Sequence, residues 1–352
     1  AGIAMVGFAV ALLGHAAQMP LLAAAGLLAA TLHVCAHNLA KTLALIGIDR
    51  VELASGRTTL DPLGGLGRGL PLSGALVGLS SLTLAAIPPL GGFVSEWFTF
   101  QALLQCFRMP TLLSRLLCAL AAAALALTAG LGLLAFAKYY GFIFLGAARE
   151  RVRALREPGR LPLGALLLGV VILFLGTAAP WEIHALGAGL RPLLGFDAAR
   201  DAISHPLVLG PVFANFSVLA PTWLSIVLPA YALIALAVAI GSGRRRGVRR
   251  APVWITGSGA EIAAVQYRPS AYSNPMRVIL RGPLGYRSVL AGSRKRTSVV
   301  NAFERFAYEP ATRFALALSG RVRATQSGRL SHYLLYMLAA VVIALSLVPI
   351  LR

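Results

Sequence analysis

The chain has 352 residues, of which 58% are hydrophobic and only 12% charged, with a mean hydropathy of +0.77. So much apolar sequence exceeds what a soluble core needs and points to a polytopic helical membrane protein. The net charge of +20 would suggest nucleic acid in a soluble protein, but here the basic residues gather in a few hydrophilic connections and no aromatic-and-basic binding module is present.

Residues 1–14 are apolar but too short to cross ~30 Å at 1.5 Å per residue, and read as the end of a helix whose start lies upstream. The sequence opens inside an apolar run without methionine, as expected of a carboxy-terminal piece of a longer protein. His15 to Pro20 reads as a turn. Residues 21–48 form the organising helix, and within them LAATLHVCAHNLAKTLALIGI places His33, His37 and Lys41 one turn apart. At 3.6 residues per turn the three share one stripe, while the other faces are Leu, Ala, Val and Ile. Ionisable groups at membrane depth are costly, about 2.5–3.5 kcal/mol each at a helix centre, so the stripe faces protein or internal water. Imidazoles and an ammonium at this spacing can pass protons by small reorientations.

Asp49 to Gly69 reads as a polar connection with Arg50, Arg57 and Arg68. Residues 70–107 hold two apolar runs joined by IPPLGGFVSEW. Pro88 and Pro89 remove helical donors, and Gly91 and Gly92 loosen the next turn, which predicts a discontinuous helix. Such breaks are tolerated at membrane depth where protein buries them or a polar cavity adjoins them. Glu96 then falls at the start of the second half, beside such a cavity, where a helix amino terminus favours negative charge. Residues 111–146 form one long tilted or kinked span with Gly130 and Gly132 near the bend, and Lys138, Tyr139 and Tyr140 close to its end.

Residues 149–160 carry five arginines against two glutamates, the pattern of a cytoplasmic loop. Residues 161–178 read as a span, 180–220 as a weakly charged outer connection, and 221–240 as a span back. Residues 241–330 hold 17 of the 32 Lys and Arg against three glutamates, so they are assigned to the cytoplasmic side. Within them, 300–324 suits a helix lying in the membrane interface, its apolar face against lipid. Residues 332–350 span once more. The sequence thus divides into a channel-forming half-bundle (1–178), an outer loop and span (179–240), a basic segment (241–330) and a final span (331–352). Cys35, Cys106 and Cys118 have no CxxC spacing and support neither a disulfide nor a metal site. Four thiolates are the usual need of an iron–sulfur cluster, and no flavin or nucleotide fingerprint is evident.

HNLAKTLALIGIDRVELASG resembles the helix-and-loop signature of the antiporter-like subunits of respiratory complex I and membrane-bound hydrogenases. IPPLGGFVSEWFTFQALL resembles the signature around their broken helix, and LLAFAKYYGFIFLGAARE is similar to their following span. VWITGSGAEIAAVQYRPSAYSNPMR, with GRLSHYLLYMLAAVV, resembles the tail of the large antiporter-like subunit of energy-conserving nickel–iron hydrogenases, as in hydrogenase-4 component B and the formate hydrogenlyase membrane subunit. The chain departs from the usual motifs at Ala40, where relatives have an aromatic residue, and after Trp254, where Ile255 and Thr256 replace an aspartate and a cysteine.

The resemblance implies an all-α transmembrane bundle, mostly the second of two inverted repeats. It implies a non-redox, proton-translocating subunit of an oxidoreductase complex in a bacterial-type inner membrane. The HxxxK pair of that family falls on His37 and Lys41, with His33 a turn earlier. The ionisable residue after the helix break falls on Glu96. Lys138, near the end of the following span, is also expected on the pathway; the competing reading is that it snorkels to the interface. No cofactor is expected on this chain; a nickel–iron centre and iron–sulfur clusters would belong to peripheral hydrogenase and iron–sulfur partner subunits, with further membrane subunits and the lipid bilayer as the other partners. The alternative is a subunit of a multisubunit cation/proton antiporter, which the same polar axis would serve.

Overall fold

The computed structural model describes residues 2–60, 62–146, 154–205, 207–210, 217–243, 269–282, 286–291, 294–299, 304–324, 328 and 330–347. Part of the 149–160 loop, residues 244–268 of the basic segment and the last residues of the final span lie outside the described residues. The chain divides into two compact units, Ala1–Pro269 and Ser270–Arg352.

The first unit is a helical bundle built around α2, Pro20–Ser55, a single helix of 36 residues. Pro20 at its first turn gives up no donor that the helix needs, and Gly56 closes it in the left-handed conformation at φ 62°, its N–H bonded to Glu52 O. The helix therefore runs seven residues beyond the expected boundary at Asp49. α1, Gly2–Ala16, packs along it through small residues. A Cβ on Gly26 would stand 2.5 Å from Ala11 N, so only glycine lets the two backbones come this close. Close approach of small residues is the usual means of helix association where lipid removes the hydrophobic drive.

α3, Pro71–Leu84, and α4, Gly91–Gln105, are the two halves of the broken helix, and 85–90 form the interruption. Pro88 and Pro89 are joined by a cis peptide bond. Gly92 has no room for a side chain: a Cβ there would meet Thr83 O at 1.8 Å, so the second half starts pressed onto the end of the first. α5, Leu112–Phe144, begins at a Thr111 cap, whose hydroxyl accepts from Ser114 N, and runs unbroken through Gly130 and Gly132, where the sequence predicts a bend.

Two expectations for the next stretch need correction. α6, Leu163–Thr177, has 15 residues, about 22 Å at 1.5 Å each, so it falls short of a crossing by itself. It turns through 88° into α7, Ala179–Leu194, and only the bent pair together is long enough. The 180–220 stretch is accordingly not a plain connection. It contains α7, the short α8 (Ala198–Ala202), and an antiparallel ribbon of β1 (Ile203–His205) and β2 (Val208–Leu209). Its burial explains its modest charge: Ile183, Ala198, Ala199, Ala202 and Leu209 join one core with Leu28, Leu32, Val94 and Phe98.

α9, Pro221–Gly243, comes next in the chain, and with α2 and α5 it is long and apolar enough to cross a membrane. It exposes Trp223, Ile226, Tyr231, Leu233 and Ile234, a surface that water would penalise and lipid does not. α10 (Pro269–Tyr272) begins on the last residue of the first unit, and the second unit goes on with α11 (Asn274–Ile279), a hairpin of β3 (Tyr286–Ala291) and β4 (Arg294–Val299), α12 (Glu309–Ala324) and the apolar α13 (Leu330–Leu347). A π-helical turn at Glu304–Tyr308 leads into α12, so the helix expected over 300–324 is regular only from 309. On α12, Phe314, Leu318 and Val322 share one face and Arg313 pairs with Glu309 at 3.3 Å on another.

Candidate functional site

Along α2 the three stripe residues lie in different surroundings. His33 is buried, His37 half-buried and Lys41 exposed on the surface of this chain. His33 Nδ1 lies 3.1 Å from Ser95 Oγ on α4, a fully buried hydroxyl that donates to Gly92 O at 2.8 Å. The rings of His33 and His37 stack with centroids 5.3 Å apart and 23° between planes. Sequence reasoning by itself does not find Ser95. A serine three residues after the break glycine is the only signal it gives.

Lys41 and His37 open into a cavity of about 600 Å³ between α2, α3 and α5. Lys138 and Tyr139 line the same cavity from α5, together with Phe136 and apolar residues of the neighbouring elements. The structure therefore brings two lysines, 97 positions apart in the sequence, to one space. A second cavity of about 250 Å³ shares Phe136 and extends along Tyr140, Ser81 and Ile87 at the helix break. The Ser81 hydroxyl is buried without a hydrogen-bond partner among the described residues, which suits a water site.

Glu96 is buried on α4, one residue from the serine that meets His33. It lines neither of these cavities, and its carboxylate makes no hydrogen bond or ion pair with the described residues. The residues expected on the path thus fall into two groups: His37, Lys41 and Lys138 at the larger cavity, and His33 and Glu96 in the packing of α2 against α4.

Two charged residues expected in connections pack into the bundle instead, the first half-buried and the second buried. Glu182 sits in the first turn of α7, with Oε1 shut from solvent and unpartnered among the described residues. Arg50 lies within the last two turns of α2 at 5% exposure. Its Nη2 donates to Glu157 Oε2 at 2.9 Å, its Nη1 to Arg160 O at 3.1 Å, and its Nε to Ser73 Oγ at 3.1 Å. Glu157 in turn accepts from Ser73 N at 2.9 Å and Ser73 Oγ at 2.7 Å. Burial alone would raise the Glu157 carboxyl, but the Ser73 and Arg50 donors outweigh it and hold it below its ordinary value. The node ties the α5–α6 connection across the ends of α2 and α3, beside a core of Val51, Leu66, Leu70, Ile143 and Phe144. The three cysteines are free thiols.

Residues 5–121, which contain the stripe, the break and Glu96, match the family model described as NADH:quinone oxidoreductase/Mrp antiporter, TM. Formate hydrogenlyase subunit 3 of Escherichia coli (strain K12) is 30% identical over 258 residues, covering 73% of this chain and 40% of that protein. Hydrogenase-4 component B of the same organism is 28% identical over 359 residues, covering 98% of this chain and 53% of that protein. The chain spans about half the length of these relatives. A chain of the membrane-bound sulfane sulfur reductase, an archaeal respiratory membrane complex, has the same fold over 98% of this chain and 54% of its own, with a TM-score of 0.54 at 20% identity.

Proposed function

We propose that this chain, a member of the NADH:quinone oxidoreductase/Mrp antiporter membrane family, moves protons across the membrane as one subunit of a redox-driven complex of the hydrogenase-4 or formate hydrogenlyase kind. The observation that supports the reading is the cavity that Lys41, His37 and Lys138 share, on a helix whose titratable stripe continues inward to His33. Lys41 makes no ion pair among the described residues.

In this reading Lys41 is the central carrier. His37 and His33 carry the path inward along α2, and Glu96 is the carboxylate next to it on α4. Lys138 lines the same cavity as Lys41 and is the next carrier in the row. A charge moved by electron transfer in a partner subunit would act on these carriers and drive the proton onward. The redox centres, nickel–iron and iron–sulfur, would reside on peripheral partner subunits, with further membrane subunits packing on the exposed faces of α5 and α9.

The test is proton uptake by sealed vesicles carrying the assembled complex, with assembly verified separately. Lys41→Ala is expected to abolish or sharply reduce uptake while redox turnover continues in part. Lys41→Arg is expected to fare little better, because a guanidinium does not release its proton. Uptake at the wild-type rate in Lys41→Ala would remove the path from this helix. The family description also covers cation antiporters, and uptake that depends on sodium without any redox substrate would favour that alternative.

A further inference from the structure

We propose that Ser95 is the positioning residue for His33, holding its imidazole with the proton on Nδ1 so that Nε2 is the nitrogen that takes up and releases the transferred proton. The proposal rests on the reading of α2 as a proton path and adds the chemical direction of one step. Ser95 Oγ carries a single hydrogen and has two partners within bonding distance, Gly92 O at 2.8 Å and His33 Nδ1 at 3.1 Å. The Gly92 carbonyl can only accept, so the serine hydrogen belongs to it. A lone pair of Oγ then faces Nδ1, and that contact is a hydrogen bond only if Nδ1 carries the proton.

The reverse assignment turns the serine hydrogen toward Nδ1. It leaves Oγ and the Gly92 oxygen facing each other, lone pair to lone pair, in a site where Ser95 has no exposed surface. A buried serine that back-bonds to the carbonyl three residues earlier is a common local pattern in helices. Here it has a consequence across the helix interface. A neutral imidazole has one donor and one acceptor nitrogen, and the bond made by one fixes the role of the other. Gly92 is itself held by its close approach to Thr83, so the break in the helix is what aims the serine.

This arrangement has a dynamic advantage. When Nε2 gains a proton the ring becomes imidazolium, and the bond from Nδ1–H to Ser95 is unchanged. His33 can therefore cycle its proton without turning its ring. The His37 ring lies nearly parallel to it, 23° between planes, so the in-plane N–H of either ring points past the other. Transfer between the two histidines then runs through a water or a turn of His37, and His33 stays fixed.

The experiment uses the whole assembled complex in lipid, labelled with nitrogen-15 at histidine and studied by solid-state NMR at alkaline pH, where the ring is neutral. The His33 signals are identified by their loss in His33→Asn. Wild type is expected to show a protonated Nδ1 and a bare Nε2. Ser95→Ala is expected to give a mixture of tautomers, and Ser95→Thr to restore one. Proton uptake per electron should fall in Ser95→Ala and return in Ser95→Thr. A protonated Nε2 in wild type, or an unchanged tautomer in Ser95→Ala, overturns the proposal. Wild-type uptake in His33→Asn, with Nδ1–H seen in wild type, overturns the proton-path reading instead and leaves the hold of Ser95 on the ring standing.

Discussion

Removing the Glu157 carboxylate is expected to release the 154–160 segment from the bundle while leaving the helices folded. Glu157 receives hydrogen bonds from Arg50 Nη2, Ser73 N and Ser73 Oγ at 2.9, 2.9 and 2.7 Å. Losing one partner of a buried ion pair costs about 3–5 kcal/mol. The Glu157 side chain is 16% exposed, and Arg50 keeps Gly159 O, Arg160 O and Ser73 Oγ as neutral acceptors, so the low end applies. About 3 kcal/mol corresponds to roughly a hundredfold rise in local opening, at 1.4 kcal/mol per tenfold. The assay is tryptic cleavage of the Arg160–Leu161 bond in detergent-solubilised protein, monitored by mass. That carbonyl is the acceptor for Arg50 Nη1, so the bond is held until the node opens. Glu157→Ala should raise the cleavage rate about a hundredfold, and adding Arg50→Ala should raise it by less than the two single effects combined. The pH dependence has a definite sign. The folded carboxyl lies below its ordinary 4.5, so its contribution is complete above that value and is lost as pH falls through the depressed folded value. Amide exchange of the segment, corrected for intrinsic rate, should therefore be constant near neutrality and quicken only in acid. A Glu157→Ala cleavage rate within about threefold of wild type would refute the reasoning, because it would mean that the node contributes less than ~1 kcal/mol.

Gly92→Ala should lower the thermal unfolding temperature of the detergent-solubilised protein, with overpacking of about 1–3 kcal/mol, since its Cβ would collide with Thr83 O at 1.8 Å. Gly130→Ala is the control: nothing lies within 4 Å of its Cβ, and a mid-helix Gly→Ala change should stabilise by about 0.5–1 kcal/mol. For topology, a cysteine at the exposed Arg156 should react with a membrane-impermeant thiol reagent only in inverted vesicles, and one at the exposed Leu193 only in intact cells; Arg156 labelling from outside would overturn the assignment of the basic connections to the cytoplasmic side.

The features legible in the sequence are those carried by local chemistry. Two prolines and two glycines within five residues end one helix and begin another, and the His33, His37 and Lys41 spacing defines a face whatever surrounds it. The end of α2 is misplaced by sequence reasoning because Asp49 and Arg50 look like solvated loop residues. Arg50 belongs inside the helix because Glu157, 107 positions later, neutralises it. No local pattern announces a partner at that distance, although Gly56 in its left-handed cap is a readable stop signal. Glu182 is misplaced for a related reason. The 88° turn after Thr177 sends the chain back against α2 and α4, so residues assigned to an outer connection become core. The meeting of Lys41 with Lys138 is likewise out of reach, since it depends on how α2, α3 and α5 cross.

The two cations on the second half of α2 have different surroundings. At 1.5 Å per residue the helix is about 54 Å long, well beyond a hydrocarbon core of ~30 Å, so one end must leave the apolar layer. Arg50 stands about 13 Å along the axis from Lys41, toward that end. Its charge is fixed by a carboxylate and three neutral acceptors, and a guanidinium so held has neither cause nor means to change protonation. Lys41 has a titratable ammonium, no ion pair among the described residues, and a cavity in front of it. About 12 Å further along the helix His33 is buried, with one nitrogen within bonding distance of Ser95. The same helix thus presents a paired guanidinium, an ammonium with no ion pair among the described residues and a buried imidazole, in order from its carboxy-terminal end. Exchanging the chemistry of the first two tests that order. Arg50→Lys should weaken the anchor, since an ammonium does not reproduce the planar fork, yet leave proton uptake intact; Lys41→Arg should leave the fold intact and stop uptake. Uptake lost in Arg50→Lys with the 154–160 segment still protected would place Arg50 on the proton path and dissolve the distinction.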